Sequence, residues 1–202
     1  MKIIAVGLNY ARHIEEFGSV RPKEPVFFFK PDTALLLHNK PFYIPPFSQQ
    51  IDYETELVVR INRLGKNIAP QFAHRYYDSI ALGLDITARD LQRQARAEGR
   101  PWAQSKGFDG SAVLSEFIPI DPEKINDIHF HLDINGQTVQ QGFSGDMLFS
   151  VDELIAYISQ YISLKIGDLI YTGTPAGVGS VKIGDHLEGY IEEQRLLDFR
   201  IK

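Results

Sequence analysis

Short runs of β-branched and aromatic residues, cut by glycine, proline and asparagine turns, set the fold class of this chain. KIIAVG (2–7), VFFFK (26–30), LIYT (169–172) and residues 42–44, 54–61, 79–87, 186–192 and 196–201 carry strand-forming side chains over strand lengths. Residues 128–134 and 137–141 flank Asn135-Gly136, a pair that favours the type I′ hairpin turn. Two KIGD segments, 165–168 and 182–185, each precede a strand and read as similar turns. Helices are fewer. Ser150 and Glu153 have capping-box spacing and open an amphipathic helix with Leu154, Ile155, Ile158 and Ile162 on its apolar side. Residues 87–98 predict a second helix, stopped by Gly99 and Pro101; residues 70–77 predict a third, and residues 12–17 one helical turn. No Ser/Gly-rich linker interrupts the chain, so a single domain over residues 1–202, α+β and mostly β, is expected.

Composition narrows the chemistry. Cysteine is absent, which excludes disulfides, thiolate metal sites and cysteine nucleophiles. A net charge of −5 with no Lys/Arg run speaks against nucleic acid or an anionic membrane as partner. The N-terminal apolar stretch is short for a signal peptide, and no run reaches membrane-spanning length. A cytoplasmic location is the expectation.

One strand-like segment carries acids. In IDYETELVVRI (51–61), alternation puts Glu54 and Glu56 on one face, with Asp52 before them. Adjacent acids repel unless water or a cation separates them, so the face meets solvent or holds a metal. Mg²⁺ would require a further oxygen ligand. Asp85 ends the apolar run Ile80–Leu84, where it is either that ligand or an N-cap for the next helix. His13 and Glu16 are one helical turn apart, the spacing of an acid–base pair or of a surface ion pair. The loop-like residues 18–25 would suit a lid. Lys106 sits among glycines, and Lys30 closes VFFFK; each is a site lysine or a solvated charge. TGTPAGVG (172–179) exposes N–H groups and hydroxyls fit for a carboxylate, or makes a tight turn. It has no phosphate-loop or dinucleotide pattern. His129, His131 and Asp133 alternate on a strand, as metal ligands or as part of an exposed sheet face.

Taken in order, GLNYARHIEE, FFFKPDTAL, DYETELVV, LDITARDLQ, GRPWAQSKGFD and GDLIYTGTPAGVG resemble the fumarylacetoacetate hydrolase family. The spacing from Pro101-Trp102 to Lys106 is most similar to its short acylpyruvate hydrolase/oxaloacetate decarboxylase branch. The resemblance implies a β-roll flanked by helices, usually a homodimer. It implies Glu54, Glu56 and Asp85 as ligands of Mg²⁺ or Mn²⁺, leaving Asp52 outside the set. It further implies His13, Glu16 and Lys106 as catalytic residues, and Arg89, Gln92, Thr174 and Gly173 as substrate-binding positions. Ala112–Ser115 and the tail IEEQRLLDFRI depart from the family pattern, in segments that bear on the outer wall of the pocket.

The expected partner is a small 2-oxo acid. Hydrolysis of acylpyruvates, decarboxylation of oxaloacetate and enol–keto isomerisation all pass through one stabilised enolate. A dicarboxylate binder without catalysis is the contrasting class, but it would need the carboxylates alone, without His13, Glu16 and Lys106.

Overall fold

The computed structural model of the chain describes residues 1–16 and 18–202. Among these residues the strands are, in chain order, β1 (Ile3–Gly7), β2 (Val26–Lys30), β3 (Leu35–Leu36), β4 (Ile51–Tyr53), β5 (Thr55–Ile61), β6 (Tyr77–Asp85), β7 (Thr87–Ala88) and β8 (Ala112–Leu114). They continue as β9 (Ile118–Pro119), β10 (His129–Ile134), β11 (Gln137–Phe143), β12 (Leu169–Tyr171), β13 (Gly179–Ser180), β14 (His186–Ile191) and β15 (Gln194–Arg200). The α-helices are α1 (Ala11–Glu16), α2 (Arg89–Ala97), α3 (Ala103–Lys106) and α4 (Val151–Tyr161). The fold is therefore mixed and mostly β. None of these helices is long and apolar enough to cross a membrane.

The largest sheet runs β2-β1-β12-β5-β6-β8-β3, with β9 also on β6. A second sheet has the order β11-β10-β14-β15, and a small third one the order β13-β4-β7. In the large sheet, alternation sends side chains into two different cores. Leu57, Val59, Ile80 and Leu82 face the larger one, which also takes Phe130, Leu132, Leu187 and Leu197 from the second sheet. Helix α4 closes this core with Leu154, Ile155 and Ile158, each worth about 1.5–3 kcal/mol once buried. Its capping box is formed: Ser150 Oγ accepts from Glu153 N, and Ser150 N donates to Glu153 Oε2 at 2.8 Å. The opposite face, with Ile3, Ala5, Val58, Ala81 and Tyr171, forms a smaller core covered by Phe28, Leu35 and Phe117.

Local expectations and structure differ where tertiary pairing intervenes. The strand expected over 54–61 starts at Thr55, and the strand-like segment 51–61 is interrupted at Glu54, because Ile51 and Asp52 pair with Ala88 and Thr87 in the third sheet. That pairing also delays the helix expected from residue 87, which starts at Arg89. Residues 42–44 form only a bridge from Phe42 to Ile201, since Pro41, Pro45 and Pro46 cannot extend the ladder. Residues 70–76 wind as a tight 3₁₀ helix, and Tyr77 already begins β6. Strands β3, β8, β9 and β13 and helix α3 are too short to show a period. The turn expected over 12–17 is α1; Phe17 lies outside the described residues. The two KIGD turns are alike: Asp168 and Asp185 each accept the N–H of the lysine three residues before.

Candidate active site

The site lies at the open end of the smaller core. On β5, Glu56 continues the face of Val58, with Glu54 just before the strand; on β6, Asp85 continues the face of Ala81 and Gly83. Antiparallel pairing of Thr55 with Leu84 places Glu54 beside Asp85, and Asp85 N donates to Glu54 O at 2.8 Å. Gly83 lies opposite Glu56, where a Cβ would come within 2.5 Å of the Tyr171 ring and 2.7 Å of Val58. All three acids are buried, and one oxygen of each lies within 4.8 Å of the others.

Three buried cations answer them. Lys106, ending α3, donates to Glu54 Oε2 (2.8 Å), Asp85 Oδ2 (2.7 Å) and Thr87 Oγ1 (2.6 Å). Lys30, ending β2, has its Nζ 2.5 Å from Asp85 Oδ1. Its protons go to Lys106 O, Ser111 O and Ser111 Oγ, which leaves Asp85 Oδ1 without an aligned hydrogen bond. Arg89 binds Asp52 through Nε at 2.8 Å, Glu54 through Nη2, and Gln92 Oε1 through Nη1 at 2.6 Å.

The electrostatics divide the two glutamates. Burial would raise Glu54, but the charges of Lys106 and Arg89 outweigh it and hold this carboxyl well below the usual range. Glu56 is pushed well above that range by burial and by Asp85 and Glu54, offset only in part by the Gly173 N–H and Lys106. Lys106 is raised, because Asp85 and Glu54 overcome its desolvation; Lys30 is lowered by its burial. Clustered carboxylate oxygens, one without a hydrogen bond and one acid short of countercharge, suit a hard divalent cation.

The loop after β12 serves this centre. Gly173 N–H donates to Glu56 Oε2 at 2.8 Å, with φ at +98° and no room for a Cβ, which would lie 2.7 Å from Asn9. Thr174 Oγ1 donates to Thr55 O and accepts from Gln140 Nε2. Gln140 is itself buried, also donates to Pro175 O, and accepts from Thr55 N at 2.9 Å. On α1, His13 is buried with Nδ1 3.4 Å from Glu16 Oε2, and Glu16 faces the Gly177 N–H across the loop. Burial lowers the His13 pKa, against Glu54 and Glu16, which favour its charged form.

Seven of these groups, His13, Glu54, Asp85, Arg89, Gln92, Lys106 and Thr174, line one pocket of about 70 Å³. A larger cleft of about 470 Å³, along Ala11, Arg12 and β11, holds none of these seven, though Gln140 lines it. The structure thus brings the sequence-derived residues together, but gives several of them duties toward one another. Gly173 spends its N–H on Glu56, and Gln92 braces Arg89. Asp85 is not a cap, since α2 begins after Ala88.

Three contributors went unassigned in the sequence. Lys30 reads from sequence as a site lysine or a solvated charge, with no role fixed, Asp52 as an acid outside the ligand set, and Gln140 has no signal. The HFHLD histidines stack instead, His129 on Phe143 and His131 on Tyr190, and fit the exposed sheet face. Among the described residues the other ligand-type cluster, His186, Glu188 and Asp198, is bridged by Arg195, which pairs with both of its carboxylates.

Comparison with known proteins agrees with this architecture. The family model described as fumarylacetoacetate (FAA) hydrolase C-terminal matches residues 2–201. A mitochondrial oxaloacetate decarboxylase of Dictyostelium discoideum is 44% identical over 185 residues, 91% of this chain and 85% of that protein. An oxaloacetate tautomerase of Escherichia coli (strain K12) is 40% identical over 191 residues, 92% of this chain and 86% of that one. The crystal structure of fumarylpyruvate hydrolase from Pseudomonas aeruginosa in complex with Mn²⁺ and pyruvate superposes with a TM-score of 0.94 at 34% identity. That match covers 100% of this chain and 89% of the other. With a buried carboxylate cluster on a shared fold and a family match over nearly its whole length, the chain belongs to the fumarylacetoacetate hydrolase C-terminal family.

Proposed function

We propose that this protein is a divalent-metal-dependent enzyme of 2-oxo acids that hydrolyses the C–C bond of acylpyruvates, decarboxylates oxaloacetate, or does both, through a stabilised enolate. One observation carries the reading: Glu54, Glu56 and Asp85 bring one oxygen each within 4.8 Å of one another, and Glu54 and Asp85 of this cluster line a pocket with Lys106 and His13. Mg²⁺ or Mn²⁺ is the ion of this reading, supported by the all-carboxylate donor set and by the Mn²⁺–pyruvate complex of the Pseudomonas relative. Held by those three residues, it supplies Lewis acidity toward the oxo and carboxylate oxygens of the substrate.

The chain's own groups supply the rest. The Lys106 ammonium brings positive charge to the side where the enolate develops. Burial favours the neutral form of His13, which lies with Nδ1 3.4 Å from Glu16 Oε2, and a neutral imidazole can accept a proton. In hydrolysis, a water gives that proton to His13 and adds to the distal carbonyl carbon. The C–C bond then breaks, its electron pair passes into the 2-oxo enolate, and the proton returns to carbon. Decarboxylation needs no water, because carbon dioxide leaves and the same enolate is protonated. Tautomerisation of oxaloacetate is the second reading, favoured by the resemblance to the E. coli tautomerase, and uses only the enolate half.

The reading includes a cytoplasmic homodimer that acts on a small acid and on neither nucleic acid nor membrane; the charge balance and the family resemblance support it. Light scattering tests the dimer, and a clean monomer would count against it. Chelator-treated protein should turn over neither acetylpyruvate nor oxaloacetate until Mg²⁺ or Mn²⁺ is returned. Full activity of a Glu54→Ala or Glu56→Ala variant would sink the proposal.

A further inference from the structure

We infer that Arg96 recognises the far carboxylate of a dianionic 2-oxo acid and so sets the enzyme's preference for diacids over monoacids. The inference rests on the 2-oxo acid reading above. It starts from charge. The buried acids Asp52, Glu54, Glu56 and Asp85 exceed the buried bases Lys30, Arg89 and Lys106 by one when all are ionised. A divalent cation changes that balance to one positive charge, which the carboxylate of a 2-oxo acid cancels. A second carboxylate in the same space needs another cation.

Arg96 is placed to provide it. Lys30 faces Asp85, Lys106 faces Glu54 and Asp85, Arg89 faces Asp52 and Glu54, and His13 faces Glu16. Arg96 lines the same pocket, and its hydrogen bond goes to a neutral group, Ser19 Oγ, at 3.2 Å. Arg89, Gln92 and Arg96 follow one face of α2 at i, i+3 and i+7. The first two are buried and Arg96 is exposed, about 10 Å along the helix from Arg89. This face therefore leads outward from the carboxylate cluster, the direction in which a substrate anchored by its 2-oxo end extends. The guanidinium fork fits a carboxylate, and Ser19 Oγ beside it adds a hydroxyl donor from the segment that follows α1.

The test uses two unreactive ligands of equal length, 2-oxopentanoate and 2-oxopentanedioate, which differ in the far carboxylate. Trp102 is the sole tryptophan and lines the pocket, so its fluorescence reports binding directly in the presence of Mg²⁺. Arg96→Gln should weaken the diacid about tenfold, equal to about 1.4 kcal/mol, and change the monoacid less than twofold. Arg96→Lys should recover most of the loss, and thermal unfolding should stay unchanged because the side chain is exposed. Equal losses for both ligands, or none for either, would overturn the inference while leaving the 2-oxo acid reading intact. Wild-type protein that binds neither ligand would remove that reading, and the inference with it.

Discussion

Lys30→Met isolates the electrostatics of the site from its packing. Methionine keeps the length of the side chain, and the hydrogen bonds lost are inexpensive. Lys106 O keeps the Ser111 hydroxyl as donor, and Ser111 O keeps the N–H of Ile86. What disappears is a buried charge 2.5 Å from Asp85. Removing one partner of a buried pair costs about 3–5 kcal/mol. Because Asp85 retains Lys106 at 2.7 Å, the low end applies, about 3 kcal/mol. With a urea m-value of about 2–3 kcal/mol/M, the unfolding midpoint should fall by about 1–1.5 M in EDTA. The excess of buried acids over bases grows from one to two, so a divalent cation at the carboxylates should offset part of the penalty. Urea unfolding of wild type and variant, in EDTA and in saturating Mg²⁺, measures both quantities. A penalty below about 1 kcal/mol in EDTA, or one that Mg²⁺ leaves untouched, would refute the reasoning.

Two further outcomes follow from the same geometry. Gln140→Met strips the donor from Pro175 O and the acceptor from Thr55 N; at about 1–3 kcal/mol for each buried group left unsatisfied, it should lower stability by about 2–6 kcal/mol and loosen the Gly173 contact to Glu56. Denaturation together with Mn²⁺ titration checks this, and a variant with unaltered stability would contradict the clamp. For His13 the sign is fixed by burial, which lowers its pKa from 6.5, so the neutral base persists into weakly acidic solution. The acid limb of acylpyruvate hydrolysis should therefore lie below pH 6.5, and His13→Ala should abolish hydrolysis while sparing tautomerisation. Equal loss of both activities would remove His13 from its assigned role.

The long elements were legible because a local period and a buried face agree in them. In β5, Leu57 and Val59 take one core and Val58 the other, and α4 carries its cap and its apolar stripe together. Glu54 and Glu56 could be placed on one face from spacing alone, but whether that face met water or an ion was not written in the segment. Their environment comes from residues distant in sequence: Asp85 through the β5–β6 register, Lys106 from α3, and Lys30 across the sheet. The break at Glu54 was illegible for the same reason, since it depends on Asp52 pairing with Thr87 in another sheet. Gln140 is the clearest case. A polar residue on a hairpin strand looks solvated until the fold places it under the Thr174–Pro175 loop.

Mn²⁺ titrated into chelator-stripped protein, followed by the paramagnetic resonance of the free ion, tests the central claim most directly. One ion per chain should bind at the carboxylate cluster. Its affinity should rise with pH, because the Glu56 carboxyl, held protonated above its ordinary range, must release a proton to become a ligand. Glu56→Gln and Asp85→Asn should each weaken binding by at least about tenfold. Undiminished binding by both variants would contradict the account.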